Sequence, residues 1–323
     1  ETRKMGTFCG SLCFRLRMVN NNKITPIFAI FVCSSAIAQF GPDAARERTR
    51  DRVLNAGDTT QEQSHQVVET QNIAYGSQER QKLDLYLPEQ QDNEADALPL
   101  IVFVHGGGFT GGDKASGSNL GAFFAANNVI TISANYRLPP NNVWPSGAED
   151  IGDVIQWVHR NAGSYGIDTD RIFLMGHSAG AGHVASYVFF EEFQVFDDGV
   201  AGALLVSGPT YELELVLNEA GTQLAFDGEA AYFGNDLSKF PSMSSIDNLD
   251  GREIPLLVAY AEADMPNIQI QNAALIQALY ERDQVLPTVI QGIGHDHLSI
   301  VRHIEVNSES VVSAQFLSFI QAH

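Results

Sequence analysis

The sequence predicts an α/β fold in which a mostly parallel central sheet of about eight strands carries helices on both faces. From residue 67 onward, short apolar runs alternate with longer segments of helical periodicity. Several runs, such as Ile-Val-Phe-Val at 101–104, are apolar at every position, as strands covered on both faces must be. Such alternation favours parallel strands joined by right-handed helical crossovers.

The apolar runs and the periodic segments locate the individual elements. Strands are predicted at 72–75, 83–86, 100–104, 129–134, 172–175, 203–206, 256–261 and 288–290, and helices at 121–127, 148–161, 179–190, 267–282 and 308–321. In the second helix, Ile151, Val154, Ile155 and Val158 recur at helical spacing and predict one buried stripe. Only seven residues separate the first two strands, which predicts an antiparallel hairpin.

Residues 1–38 are interpreted as a signal peptide with its upstream residues. After Met18, a short segment ending in Lys23 precedes an apolar run at 24–38, and Ala36 and Ala38 provide the small residues of a cleavage site. The run has 15 residues, fewer than the roughly 20 that span a bilayer, which favours cleavage near Ala38 over a single membrane anchor. We therefore expect export to the periplasm or the exterior, with no stable membrane insertion afterwards.

The rest of the chain divides into a polar leader at 39–66 and one large domain at 67–323, in which the less regular segment 191–254 is expected to form a small cap. The three cysteines all precede Ala38, so the exported protein would contain no disulfide. The formal net charge of −20 argues against nucleic acids and anionic membranes as partners, because both are polyanions.

A serine between two glycines follows the predicted strand at 172–175. In Gly176-His-Ser178-Ala-Gly180, the glycines permit a sharp strand-to-helix turn that raises the Ser178 hydroxyl at the carboxyl edge of the sheet. Ligands bind at this edge in open α/β sheets. The motif by itself is weak evidence, but its position between a buried strand and a helix favours a nucleophile over an ordinary turn.

A glycine-rich loop, His105-Gly-Gly-Gly108, follows the strand at 100–104. Its exposed backbone N–H groups are suited to stabilising a negative oxygen. We expect the amides of Gly107, Gly108 and Ala179 to form an oxyanion hole, with Gly106 a less favoured member. A plain turn or a phosphate loop is the alternative, although no Gly-Lys-Ser/Thr follows the glycines.

A serine nucleophile needs a base and an acid that orients the base. The acid is predicted to be Asp264, which lies in a loop just after the strand at 256–261, with Glu262 as its rival. The base is predicted to be His297, at the start of a helix-like segment, with His295 as the alternative. A metal site at this His-x-His pair would need further ligands, and we predict neither a metal nor another cofactor.

The order Ser178, Asp264, His297 resembles that of the α/β-hydrolases. Together with GHSAG, HGGG, QKLDLYLP and GHDHLS, the chain from about residue 83 to 297 resembles the HGGG-type esterases, the carboxylesterase and hormone-sensitive-lipase-like group. The resemblance implies hydrolysis of small-molecule carboxylic esters through an acyl-enzyme. An arylformamidase-like amide hydrolase and a non-catalytic binding protein of the same fold are the alternatives. Phe109, Tyr211 and Phe233 are candidate pocket residues, with core packing as their other interpretation.

Overall fold

The part of the chain described by the computed structural model comprises residues 67–89, 97–305 and 310–323, all within the unit Gln63–His323. The predicted signal peptide at 1–38 and leader at 39–66 lie outside the described residues. Within these ranges, no helix combines the length and hydropathy needed to cross a membrane.

Eight strands form one sheet, as the sequence predicts. In chain order they are β1 (Val67–Ala74), β2 (Lys82–Pro88), β3 (Leu98–Val104), β4 (Ile130–Ala134), β5 (Ile167–His177), β6 (Val200–Val206), β7 (Leu256–Ala263) and β8 (Thr288–Asp296). Their order across the sheet is β1-β2-β4-β3-β5-β6-β7-β8. The pairs β1–β2 and β2–β4 are antiparallel and all the others are parallel. The predicted fold class and the antiparallel start are therefore confirmed.

The described residues form seven α-helices beside the sheet. They are α1 (Ser118–Ala126), α2 (Ser146–Tyr165), α3 (Ala179–Phe189), α4 (Asp227–Phe233), α5 (Pro266–Asp283), α6 (Ser299–Arg302) and α7 (Val311–Ala322). Helices α2, α3 and α5 pack on one face of the sheet, whereas α1, α6 and α7 pack on the other. The predicted stripe on α2 is confirmed, because all four of its residues are buried in the hydrophobic core on the face of the sheet covered by α2, α3 and α5.

The two edge strands are longer than the sequence predicts. Strand β1 begins at Val67 rather than at 72, and β8 continues to Asp296 rather than ending at 290. Most side chains of both strands are exposed, so neither strand has the apolar pattern that identifies the buried ones. Backbone hydrogen bonds join β1 to β2 and β8 to β7, and they make both edge strands longer than hydropathy alone indicates.

The segment expected to be a cap contains a strand of the sheet. Strand β6 lies near the beginning of 191–254, and the irregular residues lie mainly at 207–255, between β6 and β7. We call 207–255 the insertion. It contains α4, which hydropathy did not predict, and its apolar side chains pack with Phe109 and Ala179 into a third cluster. The insertion thus lies beside the motif loops that follow β3 and β5.

A buried ion pair holds the loop that follows the glycines after β3. The ammonium of Lys114 lies 2.9 Å from the carboxylate of Asp84 on β2, and both side chains are largely buried. The backbone N–H of Lys114 also donates to Asn135, just after β4. These bonds attach the loop to β2 and to the end of β4, and they limit its movement.

Replacing Lys114 by Met should lower the free energy of unfolding by about 3 kcal/mol, because Asp84 would remain buried without its cation. Lys239→Met is the matched control. Lys239 pairs with Asp236 on the surface, with both side chains more than half exposed, so its loss should change stability by less than about 1 kcal/mol. Urea denaturation measures both changes, and equal effects would contradict the assigned role of the buried pair.

Candidate active site

Ser178 occupies the sharp turn between β5 and α3 that the sequence predicts. Its backbone lies at φ 55° and ψ −126°, a conformation that L-residues rarely adopt. A Cβ at Gly176 would collide with the carbonyl oxygen of Gly180, and one at Gly180 with that of Val104. Both glycines are therefore required for the close approach of α3 to the strands. The side chain of Ser178 is left half-buried at the carboxyl edge of the sheet.

His297 lies between Ser178 and Asp264. Its Nε2 is 3.0 Å from Ser178 Oγ, and its Nδ1 is 2.7 Å from Asp264 Oδ1. A carboxylate accepts hydrogen bonds, so Nδ1 carries the proton and donates it to Asp264. In the neutral ring, Nε2 then has a free electron pair that accepts from the Ser178 hydroxyl. The structure thus brings together the three residues that the sequence predicts, from loops after β5, β7 and β8.

Asp264 is buried and remains able to carry a negative charge. Burial by itself raises its pKa, but hydrogen bonds from His297, Ser207 Oγ and the Ala261 amide outweigh that effect and hold the pKa below its usual value. The Ser207 hydroxyl lies 2.6 Å from the carboxylate. The ionised carboxylate is therefore available to orient His297 and to stabilise its protonated form.

The rival acid and the rival base lie elsewhere. Glu262 is exposed and accepts a hydrogen bond from the Gly294 amide, so it connects β7 to β8 and does not contact His297. His295 stacks edge-on against His303, with ring centroids 5.6 Å apart. Neither residue is among those lining the cavities beside Ser178.

The glycine-rich loop presents its backbone to the serine. Gly107 and Gly108 have positive φ angles of 144° and 57°, which turn this loop so that it lines the cavity beside Ser178. Ala179 is the first residue of α3, so its amide has no partner within the helix. Within the described chain, the amides of these three residues have no hydrogen-bond acceptor. They are the donors predicted for an oxyanion hole.

The first residue of the same loop is a buried histidine. Burial lowers the pKa of His105 to about 4, so the ring is neutral at pH 7 and its Nδ1 donates to the Gly106 carbonyl at 2.7 Å. Its ring stacks on Tyr136, whose hydroxyl donates to the His105 carbonyl. His105 therefore supports the conformation of the loop and does not face the cavity.

Two cavities meet at Ser178. The larger, of about 450 Å³, is lined by the glycine loop, His177, His297 and Leu298, among others. The smaller, of about 170 Å³, extends towards the insertion and α5. Gly108, Ser178 and Met265 line both. A carbonyl group placed at Ser178 can therefore have one substituent on each side.

The sequence prediction of the pocket residues is partly wrong. Phe109 does line the smaller cavity, where it also stacks on Tyr232. Tyr211 is fully buried in the core under α3 and α5, and Phe233 packs inside the cluster of the insertion. Neither of these two side chains lines a cavity at Ser178, because each is needed to fill space between elements.

Sequence reasoning missed three residues of the site. Ser207, directly after β6, bonds to Asp264. The Nε2 of His177 donates to the His297 carbonyl at 2.7 Å, and burial lowers the pKa of His177 to about 4. Glu229 on α4 lines the smaller cavity. The position of Ser207 after a buried strand was a usable signal, whereas only tertiary contacts identify the other two roles.

The described residues contain no group of three or more His, Cys, Asp or Glu side chains arranged to hold a metal ion.

Comparison with known proteins gives a family. The BD-FAE family model matches residues 83–276. Among curated relatives, the isoprenylcysteine alpha-carbonyl methylesterase of Arabidopsis thaliana is 40% identical over 121 residues, which are 38% of this chain and 27% of that protein. The chain thus matches about a quarter of the length of this relative. Kynurenine formamidase of Danio rerio is 26% identical over 250 residues, 75% of this chain and 80% of that protein.

Solved structures show the same fold. Esterase B from Lactobacillus rhamnosis superposes with a TM-score of 0.66, covering 87% of this chain and 94% of that one, at 21% sequence identity. Identity this low supports a shared fold and no more.

The geometry at Ser178 predicts a reactive hydroxyl. A fluorophosphonate probe should label this residue, and His297→Ala should slow labelling by at least about a hundredfold, because the base that removes the proton is lost. His295→Ala is the matched control and should label at nearly the wild-type rate. Mass spectrometry of the labelled peptide identifies the labelled residue and measures the labelling rate of each variant. A larger loss in the His295 variant, or a label on another serine, would contradict the assignment.

Proposed function

Because the chain belongs to the BD-FAE family of α/β-hydrolases, we propose that it hydrolyses small carboxylic esters through an acyl-enzyme intermediate. The observation that carries this proposal is the hydrogen-bonded series Ser178–His297–Asp264, with distances of 3.0 and 2.7 Å. In this function the three residues are the catalytic triad, and the ester is the partner of the site.

The hydrogen bonds of His297 determine how Ser178 is acylated. His297 Nε2 accepts the Ser178 proton while Oγ bonds to the ester carbonyl carbon. The protonated ring is stabilised by the ionised Asp264 below it. His297 then gives its proton to the alcohol oxygen as the carbon–oxygen bond breaks. Water repeats the sequence on the acyl-enzyme, releases the acid and returns the proton to Ser178.

The oxyanion of each tetrahedral intermediate needs donors that are already in place. The amides of Gly107, Gly108 and Ala179 meet this need, since none of them donates to an acceptor among the described residues. Such donors contribute about 3 kcal/mol each to lowering the barrier when they are preorganised. The ion pair of Lys114 with Asp84 and the neutral His105 supply the preorganisation of the loop.

The Ser178→Ala variant should lose at least about a thousandfold in kcat on p-nitrophenyl acetate while keeping its fold. Asp264→Asn should lose about 10⁴-fold, because an amide no longer holds the required tautomer of His297. Glu262→Gln is the matched control for the acid, since Glu262 lies two residues before Asp264 but bonds to Gly294, and the activity of this variant should stay close to wild type. Full activity in Ser178→Ala would remove the proposal.

Hydrolysis of an amide is the second candidate, favoured by the kynurenine formamidase relative that is covered over 80% of its length. The same serine, histidine and oxyanion donors would serve, and only the leaving group differs. The methylesterase relative, 40% identical over 121 residues, favours ester hydrolysis as the first choice.

A direct comparison separates the two candidates. The kcat/KM for phenyl acetate should exceed that for an N-formyl aromatic amine by at least about tenfold, because the amide carbonyl is less reactive and its leaving amine needs stronger protonation. Assays of both substrates with the same wild-type preparation, and with Ser178→Ala as the blank, measure the ratio. A reversed ratio would favour the amidase.

Export is part of the proposal. The apolar run at 24–38 supports cleavage of residues 1–38 as a signal peptide. The three cysteines all precede Ala38, which is compatible with a location outside the cytoplasm.

A further inference from the structure

One buried carboxyl group lies beside the site. Glu229, on α4, is 5% exposed, and within the described chain its Oε2 atom has no hydrogen-bond partner. Burial raises its pKa to about 8, so at pH 7 the group is mostly the neutral acid. Burying an unpartnered polar group is unfavourable, and a partner from outside the chain would relieve this cost.

The cavity that Glu229 lines is the smaller one, and its other walls are mostly apolar. Phe109, Phe226 and Ile268 contribute to these walls, and Ser178 lies at the shared mouth. Helix α4 sits directly on the glycine loop, because a Cβ at Gly228 would collide with the Gly108 carbonyl oxygen. The carboxyl of Glu229 is therefore held at a defined place relative to the oxyanion donors.

The chemistry of the reaction decides which half of the substrate enters this cavity. His297 must reach the oxygen of the leaving alcohol, and among the described residues it lines only the larger cavity. The alcohol therefore leaves through the larger cavity, and the acyl group occupies the smaller one of about 170 Å³. This volume suits short acyl chains.

We propose, on the basis of the function proposed above, that Glu229 determines acyl specificity by hydrogen-bonding to a hydroxyl group on a short acyl chain. A neutral carboxylic acid both donates and accepts, as a hydroxyl does, so the two groups satisfy each other. Ammonium-bearing acyl groups fit less well, because they would require an ionised carboxylate between apolar walls. A site that hydrogen-bonds a substrate hydroxyl discriminates against the analogue without it.

The test compares two p-nitrophenyl esters of nearly equal size, 3-hydroxybutyrate and 3-methylbutyrate, with the 3-aminobutyrate ester as a third. Each kcat/KM is divided by the ester's rate of hydrolysis by hydroxide, which removes differences in intrinsic reactivity. The wild type should prefer the hydroxy ester to the methyl ester by about tenfold. Equal rates for these two esters would overturn the proposal without any variant.

Variants then assign the preference to Glu229. Glu229→Gln keeps a donor and an acceptor and should keep most of the preference, whereas Glu229→Leu should reduce the ratio to about one. Asp227→Asn is the matched control, since it removes an exposed acid from the same helix and should keep the wild-type ratio. A Glu229→Leu variant that retains the preference would overturn the proposal.

Two further outcomes are distinguishable. If the amino ester is the best substrate and Glu229→Gln abolishes that advantage, the cavity binds cations and the hydroxyl assignment is wrong. If the wild type hydrolyses no ester at all, the proposed function itself fails. If hydrolysis depends on Ser178 but the hydroxy and methyl esters react equally well, the proposed ester hydrolysis is supported and only the role of Glu229 is wrong.

Discussion

The hydrogen bond between Ser178 and His297 is the contact on which the rest of the structure depends. Its two residues are far apart in the chain and come from different loops, so a length of 3.0 Å requires that β5, β7 and β8 end at one edge in a set register. The parallel sheet provides this register. Asp264 and His177 each bond to His297 and hold its imidazole where the bond to Ser178 can form.

Preorganisation extends beyond the three residues. The loop after β3 must keep its amides turned towards Ser178, and it does so through groups that never contact a substrate carbonyl: Lys114 paired with Asp84, and His105 kept neutral by burial. The insertion adds a second support, since Gly228 of α4 rests against the Gly108 carbonyl, where a Cβ on Gly228 would collide. The same helix carries Glu229, so the element that supports the oxyanion loop also shapes the smaller cavity.

Local patterns were informative where a residue's chemistry depends on its own element. Ser178 was identifiable because its glycines lie between a buried strand and a helix, and Asp264 was preferred to Glu262 because it lies beyond the strand end. Tyr211 and Phe233 were misplaced, because an aromatic residue in an irregular segment has the same local pattern whether it lines a cavity or fills a core. The predicted edge strands are likewise shorter than the observed ones, since backbone pairing at an exposed edge has no hydropathy signal.

The amino-acid sequence by itself determined the fold class, the eight strands, the order of the site residues and the loop that presents backbone amides. It did so because buried strands, amphipathic helices and glycine turns are each specified over a few neighbouring residues. Only the tertiary structure decided that His297 and not His295 meets Ser178, and that Ser207 and His177 bond to the other site residues. It also decided that Glu229 is buried with an oxygen that has no partner among the described residues. Those facts depend on distances between loops that are remote in the chain. Side-chain direction and packing set these distances, so no local sequence pattern contains them.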